Sequence, residues 1–389
     1  MKITFVSNYI NHHQIPLANE IYARLGEEYH FIQTEPMEED RVKMGWGAEL
    51  SDIPYLLYYY ETPEKCKQLI MESDVVIFGG VEDESYISSR LEKGLFTIRY
   101  SERIYKEGQW KMVSPRGLLK KYNDHVRYRN SQVYLLCTGG YVSDDFRLIG
   151  AYPEKMLKWG YFVEKYNYDL EQLFAKKNAK EEPVILWVGR MIPLKHPEYA
   201  LYMAAKLKKQ NKKFKLRFIG EGELKGKLLE LTQDLGVEDC VEFREFMEPK
   251  KVREEMEEAD ILLMTSNRIE GWGAVVNEAM NAGCVVVAGH IVGSVPYLIK
   301  HEENGLIFKA KNKNSLTNEV FKIIDNTSYR NELGRAAYET VNKLWNPQTA
   351  AKRLIEFCTN PKVDRYQEGP CAKEIPTREM FMYRKLVKR

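Results

Sequence analysis

The chain has 389 residues, of which 44% are hydrophobic and 29% are charged. This composition supports two or three folded domains and excludes disorder over most of the chain. The 58 Lys and Arg residues nearly balance the 56 Asp and Glu residues, so the chain lacks the strong positive excess of a general nucleic-acid-binding protein. No apolar run approaches the roughly 18 residues of a transmembrane helix, and the first ten residues, MKITFVSNYI, do not follow a signal-peptide pattern. We therefore expect a cytoplasmic protein that contacts the inner face of a membrane at most peripherally.

The six cysteines do not form a metal-binding or disulfide pattern. The closest pair, Cys358 and Cys371, is 13 residues apart, and no CxxC motif occurs. Zinc fingers and dense disulfide frameworks need closer and more regular spacing. The sequence therefore predicts buried free thiols in a reducing compartment.

Short apolar runs alternate with helical patterns along the whole chain. In the first half, strands are predicted at Ile3–Ser7, in SDVVIFGG (73–80) and in SQVYLLCTGG (131–140), and PLANEIYARL follows the first strand as a helix with proline at its start. In the second half, the predicted strands lie in PVILWVGR, KFKLRFIGEG, CVEFREF, ADILLMTS and CVVVAGHIV. Strands that alternate with helices form parallel sheets covered on both faces. The predicted fold class is therefore α/β.

A polar segment divides the chain into two predicted domains. The stretch from Phe162 to Glu182 is charged and ends at a proline that precedes a new strand. We expect an N-terminal domain over residues 1–165 and a C-terminal domain over 183–350. Residues 351–389 form a tail that we expect to pack back on the first domain. The last 25 residues of this tail break the alternating pattern and carry a basic end.

The segment RIEGWGAVVNEAM (268–280) carries the clearest chemical signal. It follows the predicted strand ADILLMTS, and its glycines predict a tight turn before a helix that Gly283 ends. A helix that begins at the carboxyl end of a parallel strand offers free N–H groups to a phosphate. Glu270 precedes this helix and Glu278 lies within it, so one carboxylate can bind a sugar and the other a ribose. By itself this spacing of two glutamates is common.

The context of these glutamates resembles the family-4 retaining glycosyltransferases, which have the GT-B fold. The stretch 268–280 resembles the E-x7-E motif of that family, VGRMIPLKHP resembles its strand–GR–loop–K element, and FIGEGE resembles its Gly-x-Gly turn. NAGCVVVAGHIVGSVPYLI and HEENGLIF resemble the closing elements. The resemblance is strong over about residues 183–350 and loose before them. It implies two Rossmann-like doubly wound domains that face a central cleft, with the acceptor in the first domain and a nucleotide-sugar donor in the second.

The resemblance also implies residue roles. Arg190 and Lys195 would contact the diphosphate, Glu270 the hydroxyl groups of the donor sugar, and Glu278 the ribose. The backbone from Gly273 through Ala274 to Val275 would cradle the phosphate or sugar, and Gly220 would line the donor site. Two cations aimed at a departing diphosphate stabilise the transition state more than the ground state. The chain contains no D-x-D triplet, which agrees with a reaction that uses no metal ion and no cofactor.

The sequence departs from the family at three places. A turn that usually carries two glycines and a glutamate reads Val292-Gly293-Ser294-Val295-Pro296-Tyr297, and Cys284 replaces the proline usual before the next strand. Phe246 stands where the family often has glycine; we expect a core phenylalanine in preference to a wall for the nucleotide base. These departures bear on the identity of the donor sugar.

Acceptor-side candidates lie in the first domain. His12 and His13 follow strand one at the edge where ligands bind such sheets, and in an extended loop adjacent side chains point apart, so only one would face the site. Glu102 and Arg103 follow another strand-like run, and an internal salt bridge is the plainer interpretation of this pair. The segment 116–130 interleaves Arg and Lys with Leu, Tyr and Val. It predicts either a solvated helix face or a contact with an anionic membrane that brings the enzyme to a lipid-linked acceptor.

The predicted function is a retaining, metal-independent glycosyltransferase that uses a nucleotide sugar, with UDP favoured over GDP, and a saccharide or lipid-linked saccharide acceptor. Synthesis of a bacterial surface polysaccharide is the expected role. The alternatives are an oxidoreductase that binds a dinucleotide through Gly220-Glu221-Gly222, a non-catalytic sugar or nucleotide-binding module, and a sugar phosphorylase. The dinucleotide signal is weak because position 225, where a third glycine is required, is Lys225.

Overall fold

The protein is described by a computed structural model, which covers residues 1–38 and 53–387. The chain divides into two compact units. The first unit contains Met1–Glu164 and Trp345–Thr377, and the second contains Lys165–Leu344 and the residues from Arg378 onward. Each unit is built on one parallel sheet.

The strands lie close to the predicted apolar runs. Those of the first unit are β1 Ile3–Ser7, β2 Tyr29–Gln33, β3 Leu56–Tyr58, β4 Val75–Phe78, β5 Thr97–Ser101, β6 Val133–Thr138 and β7 Met156–Trp159. Those of the second are β8 Val184–Val188, β9 Lys215–Ile219, β10 Val241–Arg244, β11 Ile261–Met264, β12 Val285–Gly289 and β13 Leu306–Phe308.

The α-helices fall mostly between consecutive strands. In the first part of the chain they are α1 Ile15–Leu25, α2 Pro63–Glu72, α3 Ser85–Glu92, α4 Pro115–Lys121 and α5 Val142–Leu148. They continue with α6 Leu170–Asn178, α7 Glu198–Lys209, α8 Lys225–Asp234, α9 Pro249–Glu258, α10 Val275–Asn281 and α11 Val295–Leu298. The last are α12 Lys313–Ile323, α13 Thr327–Lys343, α14 Pro347–Thr359 and α15 Glu379–Val387. Among the described helices, none is both long and apolar enough to cross a lipid bilayer.

The strand order of both sheets reverses once, as in doubly wound folds. The first sheet runs β3-β2-β1-β4-β5-β6-β7 and the second β10-β9-β8-β11-β12-β13, with all pairs parallel. Where the order reverses, the connections that follow the two neighbouring strands run to opposite sides of the sheet. This leaves a crevice at the carboxyl ends of those two strands. The crevice lies at β1 and β4 in the first unit and at β8 and β11 in the second. This topology confirms the predicted α/β class.

The central strands of the second sheet are buried along their whole length. Every residue of β11 and β12 is buried, and β8 is buried except at its last residue. A strand buried at successive positions must be covered on both faces, because successive side chains point to opposite sides. Trp187 and Phe218 pack in this core with ring centroids 5.6 Å apart.

The polar segment between the predicted domains contains a helix of the second unit. Asp169 caps α6, since its carboxylate accepts hydrogen bonds from the backbone N–H groups of Glu171 (3.0 Å) and Gln172 (3.2 Å). Lys177 in this helix is buried, and its Nζ donates to the Met256 carbonyl at 3.0 Å. The helix is therefore packed within the second unit. Its high charge had indicated a polar segment between the domains.

The C-terminal tail divides between the two units. Helix α14 packs on α1 in the first unit, where Gln348 Nε2 donates to the Glu20 carboxylate at 2.7 Å. The residues from Arg378 onward belong to the second unit, although the whole tail was expected to return to the first. The Arg268–Glu379 salt bridge (3.5 Å) holds this last stretch beside the segment that carries Glu270.

Candidate active site

The loop after β8 carries the two predicted cations. It begins at Gly189 and ends in a 3-10 turn at Pro193–Lys195. The Arg190 side chain is exposed, and within the described parts of the chain no carboxylate pairs with it. This guanidinium is therefore available to an anionic ligand.

Glycines let the loop after β9 lie against the loop after β8. A Cβ at Gly220 would stand 2.2 Å from the Gly189 carbonyl oxygen, and one at Gly222 would stand 2.5 Å from the Met191 carbonyl oxygen. Both glycines also have positive φ, at 129° and 155°. The glycine pair therefore serves the contact between two loops, which explains the Gly-x-Gly pattern without a dinucleotide.

Hydrogen bonds join the loop after β8 to the loop after β11. Thr265 Oγ1 donates to the Lys195 carbonyl at 2.6 Å and accepts from Trp187 Nε1 at 2.9 Å. The backbone N–H of Asn267 donates to the Leu194 carbonyl at 2.8 Å. These bonds fix the two loops at the point where the strand order reverses. Thr265 and Asn267 were missed by the sequence analysis, because nothing in the sequence shows which loops adjoin.

Lys195 and Glu270 form the central pair of this crevice. Lys195 Nζ lies 2.5 Å from a carboxylate oxygen of Glu270, with side-chain exposures of 18% and 15%. An ion pair that is mostly shielded from water is stronger than a surface pair. The structure thus brings together two residues that are 75 positions apart in the sequence.

Glu278 lies on α10, close enough to Lys195 for their charges to interact. The side chain keeps partial contact with solvent, yet desolvation raises the pKa of the Glu278 carboxyl from 4.5 to about 7, and the positive charge of Lys195 opposes this rise. Strongly shifted carboxyl groups concentrate at functional sites. Lys195, Glu270 and Glu278 therefore form one cluster, which we call the donor cluster.

Tight backbone contacts shape the start of α10. Gly273 has φ of 85°, and a Cβ there would lie 2.6 Å from the terminal methyl of Met264. A Cβ at Gly293 would lie 1.7 Å from the Gly271 carbonyl oxygen. Helix α10 spans only seven residues, and as at any helix start its first N–H groups have no partner within the helix. Ala274 and Val275 stand at this start beside the donor cluster.

The buried ring of Trp272 supports the same segment. Its Nε1 donates to the Asn277 side-chain oxygen at 2.8 Å, and its carbonyl accepts from the Ser294 N–H at 3.1 Å. The divergent turn at residues 292–297 is thus tied to the loop of Glu270. Neither Trp272 nor Gly293 was predicted from the sequence to position the site.

Phe246 does not belong to the core. Its side chain is 51% exposed, just beyond the end of β10. The expectation of a core phenylalanine was wrong, because the strand before it is short and lies at the edge of the sheet.

In the first unit, the loop after β1 is a turn. The N–H groups of Gln14 (2.8 Å) and Ile15 (3.0 Å) both donate to the Asn11 carbonyl. The ring centroids of His12 and His13 are consequently only 3.8 Å apart. The prediction of an extended loop with diverging side chains was therefore wrong.

Both histidines are held in the neutral form near pH 7. Burial lowers the pKa of His12 to about 4, and burial with the nearby His12 ring lowers the pKa of His13 well below its usual 6.5. A neutral imidazole can accept a hydrogen bond or a proton, whereas imidazolium can only donate.

Glu102 is linked to His13 through Tyr161. Tyr161 stacks on His13 with ring centroids 5.9 Å apart, and its hydroxyl donates to Glu102 at 2.9 Å. Lys106 also pairs with Glu102. The cavity that His13 and Tyr161 line measures about 20 Å³, enough for a water molecule but too small for a sugar.

Arg103 is a structural residue. Its guanidinium forms a buried pair with Asp145, at 3.1 Å and 3.3 Å, and the same carboxylate accepts from the Tyr105 N–H at 3.0 Å. The structure therefore shows the internal salt bridge that the sequence predicted for this residue, and its role on the acceptor side stays a prediction.

A second group of ionisable residues lies away from the donor cluster. His301, Glu302 and Glu319 come close enough together to hold a metal ion. His301 Nδ1 accepts from the Ile307 N–H at 2.9 Å, so in the neutral ring Nε2 carries the proton and has no free lone pair. Lys322 pairs with both carboxylates, at 2.7 Å and 2.8 Å. This group is therefore better suited to an ion-pair network than to a metal ion.

Much of the second unit is similar to a known family of glycosyltransferases. Residues 169–340 match the family model described as Glycosyl transferases group 1. This range includes the whole donor cluster and is less than half of the chain. The donor cluster therefore lies within the residues that are similar to this family model.

Two curated relatives are similar to parts of this chain. An uncharacterised glycosyltransferase of Methanocaldococcus jannaschii is 30% identical over 175 residues, which are 45% of this chain and 44% of that protein. The poly(ribitol-phosphate) alpha-N-acetylglucosaminyltransferase of Staphylococcus aureus is 23% identical over 249 residues, which are 61% of this chain and 48% of that protein. The chain spans about half the length of the curated relatives it matches.

The fold is shared with a solved structure that contains bound UDP. The crystal structure of Anabaena HepE in complex with UDP matches with a TM-score of 0.69 at 16% identity. The matched region covers 92% of this chain and 100% of the HepE chain. At this identity the likeness concerns the fold, and it confirms the predicted pair of Rossmann-like domains.

Proposed function

We propose that this chain is a retaining glycosyltransferase that transfers a sugar from a nucleoside diphosphate sugar to a saccharide or lipid-linked saccharide. The favoured donor is a UDP-sugar, and the favoured role is the synthesis of a bacterial surface polysaccharide. The observation that carries the proposal is the donor cluster, which lies at the crevice of the second unit and within the residues that are similar to group 1 glycosyltransferases. The similar Staphylococcus aureus protein is named for transfer to a sugar-phosphate polymer, and the similar Anabaena structure holds UDP.

Arg190 and Lys195 are proposed to bind the donor diphosphate. As the glycosidic bond breaks, negative charge accumulates on the leaving diphosphate. Arg190 is exposed and supplies a planar fork of donors, while Lys195 supplies a compact charge. The first N–H groups of α10, at Ala274 and Val275, add donors on the same side of the sheet. These groups stabilise negative charge that grows on the diphosphate as the bond breaks, so they stabilise the transition state more than the bound donor and raise the rate of transfer.

The Lys195–Glu270 pair is proposed to open when the donor binds. Without donor, Glu270 occupies one side of the ammonium group at 2.5 Å. A diphosphate carries more charge than one carboxylate and competes for the same group. Glu270 is then released to accept hydrogen bonds from the hydroxyl groups of the donor sugar.

Glu278 is proposed to bind the ribose. A ribose hydroxyl donates to a carboxylate and can accept from a protonated carboxyl, so a group with a pKa of about 7 can bind it in either form. Phe246 is exposed beside the end of β10 and is a candidate wall for the base.

The first unit is proposed to hold the acceptor. Neutral His13 and the Glu102–Tyr161 pair are partly exposed and provide hydrogen-bond acceptors and donors suited to sugar hydroxyl groups. The acceptor is proposed to contact them from outside the small cavity, which holds no more than a water molecule. Because protein cations neutralise the diphosphate, we propose that the reaction needs no metal ion and no cofactor. Transfer that persists in excess EDTA is the corresponding measurement.

The proposal is tested by Lys195→Ala, with Lys227→Ala as the matched control on an exposed surface. Both proteins are incubated with UDP-sugars and GDP-sugars, and release of nucleoside diphosphate is measured with and without saccharide acceptors. Loss of one preorganised charge at the leaving group lowers turnover by about 100-fold or more. Thermal unfolding is measured alongside to show that both variants are folded.

The wild-type chain should release UDP or GDP, and the product should keep the anomeric configuration of the donor by NMR. Full activity of folded Lys195→Ala would contradict the assigned site. Inversion of the configuration would contradict the retaining mechanism while leaving the donor assignment intact. No turnover and no nucleotide binding by wild type would overturn the proposed function.

A further inference from the structure

Five large apolar side chains are exposed close together on the first unit. Trp110 is 70% exposed, Val113 is 73% exposed and Leu119 is 63% exposed. Leu118 and Tyr122 are exposed at 41% and 53%. We call these five residues the docking surface. Scattered apolar residues are normal on protein surfaces, but a contiguous group marks an interaction site.

The docking surface lies on consecutive short helical segments. Trp110 and Val113 belong to the 3-10 segment Gln109–Val113, and Leu118 and Leu119 belong to α4. Tyr122 follows α4 at helical spacing, four residues after Leu118 and three after Leu119. Residues three and four apart are neighbours on a helix surface. The 3-10 segment and α4 are in contact with each other, so the exposed apolar side chains lie on adjoining segments.

The inner side of the same segments is polar. Gln109 Nε2 donates to the carboxylates of Asp144 (3.1 Å) and Asp145 (3.2 Å), both of which are buried. Buried Arg99 donates to the Asp124 carbonyl at 2.6 Å.

A histidine adds to this inner anchoring. Nδ1 of buried His125 lies 2.7 Å from the hydroxyl of Tyr152. Proteins usually bury apolar side chains and expose polar ones. These segments do the opposite, because their polar groups face inward and their large apolar side chains face solvent. Polar contacts hold the segments in place, and they leave the apolar face free.

Positive charge surrounds this apolar face. Residues 106–130 contain seven Lys and Arg and two acidic residues, which leaves 51 Lys and Arg against 54 Asp and Glu in the rest of the chain. Both acidic residues are paired within the segment, Glu107 with Lys111 and Asp124 with Lys120. Arg116 is exposed on α4. The basic excess of an otherwise balanced chain is therefore concentrated at the docking surface.

We propose that the docking surface binds the surface of an anionic lipid bilayer. Trp and Tyr favour the interface between headgroups and acyl chains, Leu and Val bury apolar area there, and Lys and Arg contact lipid phosphates. Contact between two copies of this face would oppose like charges. A nucleic acid would leave the apolar side chains uncovered. The bilayer matches both features, and it also holds lipid-linked acceptors.

The test uses the full chain and sedimentation with vesicles. Vesicles of phosphatidylcholine alone are compared with vesicles that also contain phosphatidylglycerol, at low and at high salt. The apolar variant is Trp110→Ser/Val113→Ser/Leu119→Ser, whose three positions are more than 60% exposed, so the fold should persist. The matched control is Leu229→Ser/Ile375→Ser, which changes exposed apolar residues elsewhere.

Wild type and control should bind vesicles that contain phosphatidylglycerol, and high salt should weaken the binding. The apolar variant should bind at least about tenfold more weakly, because the interfacial Trp and two apolar anchors are lost. A second variant, Arg116→Gln/Lys120→Gln, should lose about 25-fold, at about fivefold for each charge. Its control is Lys209→Gln/Lys227→Gln, at two exposed lysines of the second unit.

Three results would overturn the inference. One is wild type that does not sediment with phosphatidylglycerol vesicles at low salt. Another is equal binding by wild type and both docking-surface variants. The third is a dimer in light scattering that the apolar variant abolishes while wild type shows no vesicle binding, which would assign the surface to a second copy. Vesicle binding needs no donor, so its failure is distinguishable from failure of the glycosyltransferase proposal.

Discussion

The raised pKa of Glu278 leads to a quantitative prediction about stability. The pKa of this carboxyl is 4.5 in the unfolded chain and about 7 in the folded chain. Folding therefore stabilises the protonated form over the charged form by about 3 kcal/mol. Since the side chain keeps partial solvent contact, we expect about 2 kcal/mol to appear in experiment. Between pH 4.5 and 7 the folded state binds more protons than the unfolded state. The contribution of Glu278 to the free energy of unfolding is therefore complete below pH 4.5, falls as pH rises, and is lost above about pH 7.

Replacing Glu278 by Gln removes this dependence. Glutamine resembles the protonated carboxyl, so wild type and Glu278→Gln should have similar free energies of unfolding at pH 5. At pH 8.5 the variant should be more stable by about 2 kcal/mol, because wild type must then carry a charge that is poorly solvated. Urea unfolding at both pH values, followed by tryptophan fluorescence, measures the difference.

The control is Glu230→Gln, which changes an exposed glutamate on α8 and should shift stability equally at both pH values. A difference between wild type and Glu278→Gln that does not change with pH would refute the reasoning. So would a variant that is less stable than wild type at pH 8.5, since that would make the attraction of Lys195 stronger than desolvation.

Two further substitutions test how the structure holds its functional loops. Gly293→Ala places a methyl group 1.7 Å from the Gly271 carbonyl oxygen, so we expect a loss of about 3 kcal/mol in urea unfolding, together with reduced donor turnover; unchanged values would show that the loops are not in contact. Arg103→Gln leaves Asp145 as a buried charge without its partner, so the free energy of unfolding should fall by about 3 to 5 kcal/mol, whereas stability within 1 kcal/mol of wild type would contradict the buried pair.

Local patterns in the sequence predicted the elements of the fold well. Runs such as VILWV and ILLM are continuous apolar stretches bounded by glycine or polar turns, and they form β8 and β11. Strands buried on both faces need such runs. The alternation of strands and helices then indicated parallel sheets, because parallel strands require a crossover connection. The prediction of a polar linker over residues 162–182 was also based on a local pattern, and it was wrong. The high charge of this stretch indicated a solvated segment, but it contains helix α6, in which Lys177 is buried.

The sequence also determined which residue types the candidate site contains, while the tertiary structure decided how they meet. The motif segments supplied Lys195, Glu270 and Glu278, but their approach depends on the reversal of strand order at β8 and β11. That order is set by packing over the whole sheet and is not visible in any short stretch. For the same reason, only the tertiary structure shows that Glu102 and its neighbour Arg103 have different partners. Glu102 bonds to Tyr161, and Arg103 pairs with Asp145. Adjacent residues at the end of a strand diverge, and their partners lie 59 and 42 positions away.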